Sequence, residues 1–171
     1  LQCNEAIEKL WFTLILKTEL RLAVQTLTIV IPCLNEELAI PIVLGKLRSV
    51  LNSREFSEIV ESWEVIVVND GSSDNSPKIL ARYDWVKVVS NPKSVGYGSS
   101  LKTGFMLATK NLITFLDMDS SYDPKDLILL ISAIQKNSVG IVFGNRMHTR
   151  GGMPWLRFFG NHLYAWIIQL L

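Results

Sequence analysis

Three apolar segments of the chain each end in a turn that carries carboxylates: TIVIPCLNEE, VIVVNDGSSD and ITFLDMDSSYDP. Short runs rich in Val and Ile are typical of strands that a parallel sheet buries on both faces. Such sheets bind their ligands in the crevice outside the carboxyl ends of the strands. The pattern therefore predicts a ligand site at one edge of a sheet, with these acids on it: Glu36, Asp70, Asp117 and Asp119. Because like charges repel, a divalent metal that holds a phosphorylated ligand is expected among them.

Strands and helices are predicted to alternate from Leu27 onward. Asp74 and Asp123 are expected as helix N-caps, and Pro124 stands at the favoured first helical position. The alternation predicts an α/β fold with a mostly parallel sheet and flanking helices. We expect strands near 27–33, 64–69, 86–90, 112–117 and 139–143, and helices at 36–52, 74–82, 99–110 and 124–136.

The two ends of the chain differ from this regular middle. Residues 1–25 mix apolar and charged side chains without the roughly 20 apolar residues of a membrane span, so an amphipathic segment is expected. Residues 153–171 carry a wide apolar sector, which fits either a helix at a membrane interface or a core helix whose covering layer lies beyond the chain. The predicted core domain is 26–152.

Charge and cysteine content exclude several classes of protein. With 17 basic and 16 acidic residues, the chain has no broad field that attracts nucleic acid. Cys3 and Cys33 have no CxxC spacing, so neither a zinc site nor a disulfide framework is indicated, and reduced cytosolic thiols are expected. The hydrophobic fraction of 49% is high for a soluble domain and favours contact with a membrane or with another chain, including a homo-oligomer.

Asp117-Met118-Asp119 is the strongest candidate for a metal site. Mg²⁺ takes one or two carboxylates and completes its shell with phosphate and water. The alternative, a pair of turn-forming residues that cap the next helix, is less favoured because Asp123 already fills that role. Two other motifs fit poorly: an aspartyl phosphatase motif normally opens its fold, and an EF-hand would need Gly and Glu where this chain has Tyr122 and Ile128.

Three further clusters leave two interpretations open. Asp70 either accepts from a ribose hydroxyl or a ring N–H, or forms an ordinary Asx turn, and Glu36 is equally ambiguous. The loop before Lys102 either brings that residue and the backbone to a phosphate or is a flexible helix entry; it matches neither a Rossmann fingerprint nor a P-loop. Arg146 either pairs with the acidic edge or binds a second anion.

Taken together and in this order, the motifs resemble those of glycosyltransferase family 2, which has the GT-A fold. IPCLNEE is similar to IPxYNEE, VNDGSSDNS to VDDGSTDGT, VGYGSSLKTGF to NxGxGAALRTGF, LDMDSSYDP to LDADxSYDP, and GNR…MPWLRFFGN to GSR…MPWLRRxGN. The likeness is strongest to the polyprenyl-phosphate branch, the dolichyl-phosphate mannose or glucose synthases and their undecaprenyl-phosphate relatives. Five motifs in register, over residues 27 to about 168, make the resemblance specific.

The resemblance implies a role for each matching residue. Asp119 would be the main ligand of Mg²⁺ or Mn²⁺ and a catalytic residue, with Asp117 close to the metal or the ribose. Arg146 and Arg157 would hold the acceptor phosphate, and Arg146 would act in catalysis. The nucleotide-sugar donor would contact Pro32, Leu34, Glu36, Val68, Asp70, Lys102, Asp117 and Met118.

The chain also departs from the family pattern. Asn69 replaces the first Asp of a pair, Leu34 replaces an aromatic residue, and Ser121 stands where some members have a metal-binding Gln. The family continues into a further element that completes the acceptor site, so the resemblance implies a GT-A fold that is C-terminally incomplete.

The predicted function is an inverting, metal-dependent transfer of a sugar from a UDP- or GDP-sugar to a polyprenyl phosphate, at the cytoplasmic face of a membrane. The acceptor phosphate is already anionic, so orientation and charge stabilisation suffice without a strong base. Two alternatives stay open: an inactive donor-binding or membrane-docking module, and a family 2 transferase that acts on a sugar hydroxyl.

Overall fold

The computed structural model describes residues 25–137 and 139–144 of the 171-residue chain. The chain divides into two compact units, the first ending at Ile141 and the second beginning at Val142; the described residues of the second, 142–144, hold no helix or strand. No described helix has the length and apolar character needed to cross a membrane. The elements of the first unit are β1 (Gln25–Cys33), α1 (Ala39–Leu51), α2 (Arg54–Ser57), β2 (Val60–Asn69), α3 (Ser76–Leu80), β3 (Val86–Ser90), α4 (Tyr97–Met106), β4 (Leu112–Phe115) and α5 (Asp126–Asn137).

Four parallel strands form a sheet in the order β3-β2-β1-β4. β1 and β2 lie in the middle, and their last residues are almost wholly buried, as their Val- and Ile-rich sequences predict. The predicted α/β class, with a parallel sheet and flanking helices, is therefore confirmed.

Helices α1 and α4 pack against this sheet in different ways. α1 buries apolar side chains at helical spacing, among them Ile40, Leu44 and Leu47. α4 approaches β1 so closely that a Cβ at Gly104 would collide with the side chain of Val30. The glycine therefore lets α4 lie directly beside the central strand.

The strand order creates a switch point beside β1. The chain runs outward from β1 to β2 and β3, and then returns to place β4 on the opposite side of β1. The connections that leave β1 and β4 consequently diverge, and a crevice opens between their carboxyl ends. The register brings Cys33 level with Asn69, and Asn69 level with Ser90, so these strand ends share one edge of the sheet.

The structure corrects the predicted strand at 139–143. These residues belong to no strand, and Val139 and Ile141 are exposed. A continuous apolar run is compatible with a strand, but only pairing with a neighbour satisfies its backbone, and no described strand pairs with these residues.

Local capping also differs in detail from the prediction. The N-cap of α3 is Asn75, and the predicted cap Asp74 is the residue before it. Asp74 Oδ1 still accepts from the N–H of Ser76, the first residue of the helix, at 2.9 Å. Asp123 Oδ1 accepts from Lys125 N at 3.1 Å in the turn that leads into α5. The unpredicted helix α2 is capped by a serine, since Ser53 Oγ accepts from the N–H of Phe56.

Candidate active site

The loops that follow β1 and β2 are joined by side-chain hydrogen bonds. Asn35 has a left-handed backbone (φ 56°), its N–H donates to Ser72 Oγ at 2.9 Å, and its Oδ1 accepts from Ser73 N at 2.8 Å. Glu36 N donates to Ser76 Oγ at 2.9 Å. The two strand ends therefore form one cross-linked surface, although the residues involved are more than 35 positions apart in the sequence.

A cavity of about 290 Å³ lies at the switch point. Its size suits part of a small-molecule ligand. A larger cleft of about 610 Å³ runs between α1 and α5, but it contains no carboxylate from the ends of β1, β2 or β4. The smaller cavity therefore carries the candidate chemistry. It is lined by Pro32, Cys33, Leu34, Glu36, Asp70, Gly96, Tyr97, Ser100, Asp117, Met118 and Asp119.

Asp70 is buried, and the protein itself fills its hydrogen-bonding capacity. Its Oδ1 accepts from Asn91 Nδ2 at 2.7 Å, its Oδ2 accepts from Ser94 Oγ at 2.7 Å, and the N–H groups of Val95 and Gly96 also donate to the carboxylate. Burial raises the pKa of Asp70, but these hydrogen bonds outweigh it and hold the pKa well below its usual range. Asp70 is therefore an anion that fixes the segment 91–96 against the end of β2.

Gly71 completes this attachment by allowing close backbone contact. Its φ is +72°, and a Cβ there would lie 2.6 Å from the carbonyl carbon of Lys93. No other residue fits both the conformation and the space. The sequence Asp70-Gly71 thus determines where the segment before α4 lies, and through it where α4 begins.

Asp117 and Asp119, by contrast, each keep an oxygen without a partner among the described residues. Asp117 Oδ1 accepts from the Tyr97 hydroxyl at 2.7 Å, and Asp119 Oδ1 accepts from Ser121 N at 2.8 Å. Ser120, which directly follows Asp119, has a left-handed backbone (φ 64°). This conformation is costly for a non-glycine residue, and residues that adopt it are concentrated at functional sites. The second oxygen of each carboxylate is left for a ligand.

Among the described residues, no cation balances the acids at this end of the cavity. Burial, together with the nearby negative charges of Asp119 and Asp74, raises the pKa of Glu36. The ion pair found in the described part of the chain, Arg54 with Glu58, lies on the surface of α2 and does not offset these acids. A cation that bound here would relieve the repulsion.

The donor set fits a hard divalent cation. No group of three or more His, Cys, Asp or Glu side chains among residues 25–137 and 139–144 is arranged to hold a metal by itself. Mg²⁺ and Mn²⁺ do not need such a cage, because carboxylate oxygens, phosphate and water complete their shells. The free oxygens of Asp117 and Asp119 match this requirement.

The sequence pattern did not indicate that the phenol of Tyr97 and the thiol of Cys33 would lie on the cavity wall. Burial and the hydrogen bond to Asp117 raise the pKa of Tyr97, so its hydroxyl stays protonated and donates. Burial raises the pKa of the Cys33 thiol to about 11, so this free cysteine is neutral at neutral pH, as expected of a reduced residue. The glycines around Tyr97 were the available signal, whereas nothing in the sequence pointed to Ser100.

Seven of the residues predicted for the donor or the metal lie on the wall of the cavity: Pro32, Leu34, Glu36, Asp70, Asp117, Met118 and Asp119. Val68 is instead fully buried within β2, and Lys102 is exposed on α4 away from the cavity. Neither contributes to the wall. Arg146, Arg157, the helix at 153–171 and all but the last residue of segment 1–25 lie outside the described residues.

The chain is similar to known proteins in family, sequence and structure. The model of the family "Glycosyl transferase family 2" matches residues 28–164. An uncharacterized glycosyltransferase of Mycobacterium tuberculosis is 31% identical over 149 residues, which cover 86% of this chain and 62% of the relative. A dolichyl-phosphate beta-glucosyltransferase of Trichomonas vaginalis is 30% identical over 68% of this chain and 38% of its own length. The chain thus spans less than two thirds of the curated relatives it matches.

Solved structures give the same fold. Glucosyl-3-phosphoglycerate synthase from Mycobacterium tuberculosis, in complex with Mn²⁺, UDP and glucosyl-3-phosphoglycerate, superposes with a TM-score of 0.53 at 26% identity, over 70% of this chain and 43% of the synthase. Staphylococcus aureus TarS superposes with a TM-score of 0.55 at 18% identity, over 73% of this chain and 40% of TarS, which is a likeness of fold alone. The observed sheet is therefore that of GT-A glycosyltransferases.

Proposed function

The chain belongs to glycosyl transferase family 2, and from this premise we propose that it binds a UDP- or GDP-sugar between the ends of β1 and β4 and transfers the sugar to a polyprenyl phosphate. The observation that carries the proposal is the pair Asp117 and Asp119, whose free oxygens share a cavity wall with Glu36 while no described cation offsets them. This wall is built to receive positive charge, and a nucleoside diphosphate brings such charge with its divalent metal.

Asp119 and Asp117 would hold Mg²⁺ or Mn²⁺ in this proposal. When bound, the cation neutralises charge on the departing nucleoside diphosphate. The synthase with which this chain shares 26% identity was crystallised with Mn²⁺ and UDP, which supports the same kind of donor here. Tyr97 would orient Asp117 through the bond from its hydroxyl.

The acceptor is proposed from two lines of support. Relatives at about 30% identity include dolichyl-phosphate beta-glucosyltransferases, whose acceptor carries a phosphate. Such a phosphate is already ionised, so it attacks the sugar without a strong general base, and catalysis consists of orientation and charge stabilisation. A lipid phosphate acceptor would place the reaction at a membrane surface, with the soluble nucleotide-sugar arriving from the cytoplasmic side. Arg146 and Arg157 remain the proposed acceptor residues.

Transfer assays with matched acceptors test this proposal. Purified chain, Mn²⁺ and radiolabelled UDP-glucose or GDP-mannose are combined with a short-chain polyprenyl phosphate, with 3-phosphoglycerate, or with a sugar that offers only hydroxyl groups. Labelled polyprenyl-phosphate sugar is the expected product, and it should disappear when the metal is chelated. Product on 3-phosphoglycerate or on the sugar hydroxyl alone would overturn the polyprenyl acceptor.

The inactive module makes a different prediction. The competing interpretation is a donor-binding or membrane-docking module without transfer activity. Calorimetric binding of one nucleotide with metal, but no product with any acceptor, would favour it. Failure to bind either UDP or GDP with Mn²⁺ would contradict the proposed function and a donor-binding module, and would favour a module that only docks at a membrane.

A further inference from the structure

An exposed apolar surface lies where the end of α4 meets β4. It consists of Phe105 and Met106 on α4, 39% and 78% exposed, and of Ile113 and Phe115 on β4, 49% and 43% exposed. The ring centroids of Phe105 and Phe115 are 6.4 Å apart, so the helix part and the strand part are continuous. We call these four residues the α4–β4 face. A contiguous exposed apolar surface marks a site of contact with another molecule or with a membrane.

The strand order leaves this face uncovered by α4. β4 lies at an edge of the described sheet, whereas α4 packs over β1 and β2. Phe115 is level with Val30 of β1, and Val30 lies directly under Gly104 of α4. Phe115, and Ile113 two residues before it, therefore project on the helix side of the sheet. They lie beside the helix rather than beneath it, which is why both remain exposed.

Positive charge flanks the α4–β4 face. No Asp or Glu occurs in residues 85–116, which contain four lysines: Lys87, Lys93, Lys102 and Lys110. Lys102 is exposed and lies three residues before Phe105, on the same side of the helix. Glu64 of β2 interacts with Lys110, but its Oε1 is already occupied by hydrogen bonds from Thr109. The face thus combines apolar side chains with cations.

Charge complementarity favours an anionic lipid surface over the other candidate occupants. A twofold contact between two copies at this face would bring the same lysines together, with no acid of residues 85–116 to separate them. Residues 145–171 contain three arginines and no acid, so that segment supplies no opposite charge either. A bilayer that contains anionic lipid offers an apolar boundary and negative headgroups at once.

We propose that the α4–β4 face docks on the surface of a membrane that contains anionic lipid. The inference rests on the proposed function and deepens it, because it names the surface through which the chain meets its lipid partner. Phe115 ends β4 and lies two residues before Asp117, which is on the cavity wall. A membrane on this face therefore lies beside the edge of the sheet at which the acceptor phosphate has to react.

Vesicle flotation of the full chain tests the assignment. Vesicles of phosphatidylcholine, with and without phosphatidylglycerol, are compared at about 0.1 M and about 1 M salt, where the Debye length falls from about 10 Å to about 3 Å. We expect the wild type to bind the anionic vesicles more tightly than the neutral ones, and less tightly at high salt. Lys102→Gln should weaken binding to anionic vesicles about fivefold at low salt only. Met106→Gln should weaken it about tenfold at both salt concentrations, because an apolar side chain is lost.

Leu129→Gln is the matched control. Leu129 is an apolar residue that is 70% exposed on α5, a helix that shares its core with Ile29 and Ile31 on the other side of the sheet. The control should bind vesicles as the wild type does. Met106→Gln and Leu129→Gln should both keep the wild-type melting temperature and the wild-type affinity for UDP or GDP with Mn²⁺.

Three results would overturn the docking surface while the proposed function stands. They are a wild type that binds nucleotide but no vesicles, vesicle binding that neither Lys102→Gln nor Met106→Gln weakens, and a wild-type dimer in sedimentation velocity that Met106→Gln dissociates. The last result would assign the face to a second copy of the chain. If the vesicle results are as expected but neither nucleotide binds, the proposed function fails and the docking surface stands.

Discussion

Asp70 and Asp117 both follow an apolar strand of the same sheet, but the structure gives the two carboxylates opposite surroundings. Asp70 is buried and accepts hydrogen bonds from two side chains and two backbone N–H groups. Asp117 is half-buried and accepts one hydrogen bond, from Tyr97, as the exposed Asp119 does from Ser121. The same local pattern thus produces an anchor at one strand end and, at the other, carboxylates that each keep an oxygen without a partner among the described residues.

The segment 91–96 causes this difference. It follows β3 and folds over the end of β2, where Gly71 leaves room for its backbone. No comparable segment of the described chain covers the end of β4, which forms an edge of the sheet. A strand-end carboxylate is therefore structural where a neighbouring loop supplies its donors, and free to bind a ligand where none does.

Replacing Asp70 should produce the largest effect, and the effect should be on stability. In Asp70→Asn the amide group faces donors from Ser94, Val95 and Gly96, so buried N–H groups lose a charged acceptor. We expect the free energy of unfolding to fall by about 3 kcal/mol, measured by urea denaturation. Asp84→Asn, at an exposed residue, is the control and should be neutral. A loss under about 1 kcal/mol would contradict the anchoring role.

Replacing Asp119 should have the opposite signature. Asp119→Asn removes a ligand oxygen's charge, so metal-dependent nucleotide binding should weaken by about 10- to 100-fold, as expected when an interaction with a charged group is lost. Stability should stay equal or rise slightly, because Asp119 contributes to the repulsion that raises the pKa of Glu36. Calorimetry with and without Mn²⁺, beside a denaturation curve, separates the two readouts. Intact metal-dependent binding would refute the metal assignment.

Acid should reduce the contrast between the wild type and Asp70→Asn. The folded-state pKa of Asp70 lies below its unfolded value of about 3.9. The stabilisation it provides is therefore fully present above pH ~4 and is lost as the pH falls further, by about 1.4 kcal/mol per unit. Unfolding curves of both proteins at pH 7, 5, 4 and 3 check this. A constant difference down to pH 3 would show that the charge of Asp70 contributes nothing.

Tyr97→Phe should have the smallest effect. It removes the hydroxyl that orients Asp117, so metal-dependent nucleotide affinity should fall about threefold, within the range of one hydrogen bond. Because the pKa of Tyr97 is raised, the loss should be the same from pH 6 to pH 9. Tyr83→Phe, whose ring packs edge-on against Trp85 away from the cavity, is the control. Equal affinity of Tyr97→Phe and wild type would remove Tyr97 from the site.

The sequence was sufficient for the parallel sheet because buried strands carry their own signal. Continuous apolar runs predicted β1, β2, β3 and β4, and the ends of β3 were correct to the residue. The prediction of a strand at 139–143 failed for a related reason: a continuous apolar run is compatible with a strand, but a strand also needs a neighbour with which to pair. Helix starts were predicted three residues early at α1 and two residues late at α4, because the ends of helices depend on contacts between loops: Ser76 Oγ accepts from Glu36 N, in another loop.

The candidate site was predictable as a set of acids, but their roles were not. Glu36, Asp70, Asp117 and Asp119 were all expected at the sheet edge, and all four line the cavity. Val68 and Lys102 were expected there too, but neither lies on the cavity wall. Val68 is buried within β2, and Lys102 is exposed on α4.

The sequence by itself determined the four strands of the sheet, the family and the residues available for chemistry, since hydrophobic periodicity and local motifs are properties of neighbouring residues. Only the tertiary structure decided that Asp70 anchors a segment and that, among the described residues, Asp117 and Asp119 each keep an oxygen without a partner and Ser100 Oγ has none. The surroundings of Asp70 and Asp117 depend on donors about 20 positions away in the sequence, such as Asn91 for Asp70 and Tyr97 for Asp117. Hydrogen-bond saturation is set by what the fold brings within about 3 Å, which no local pattern encodes.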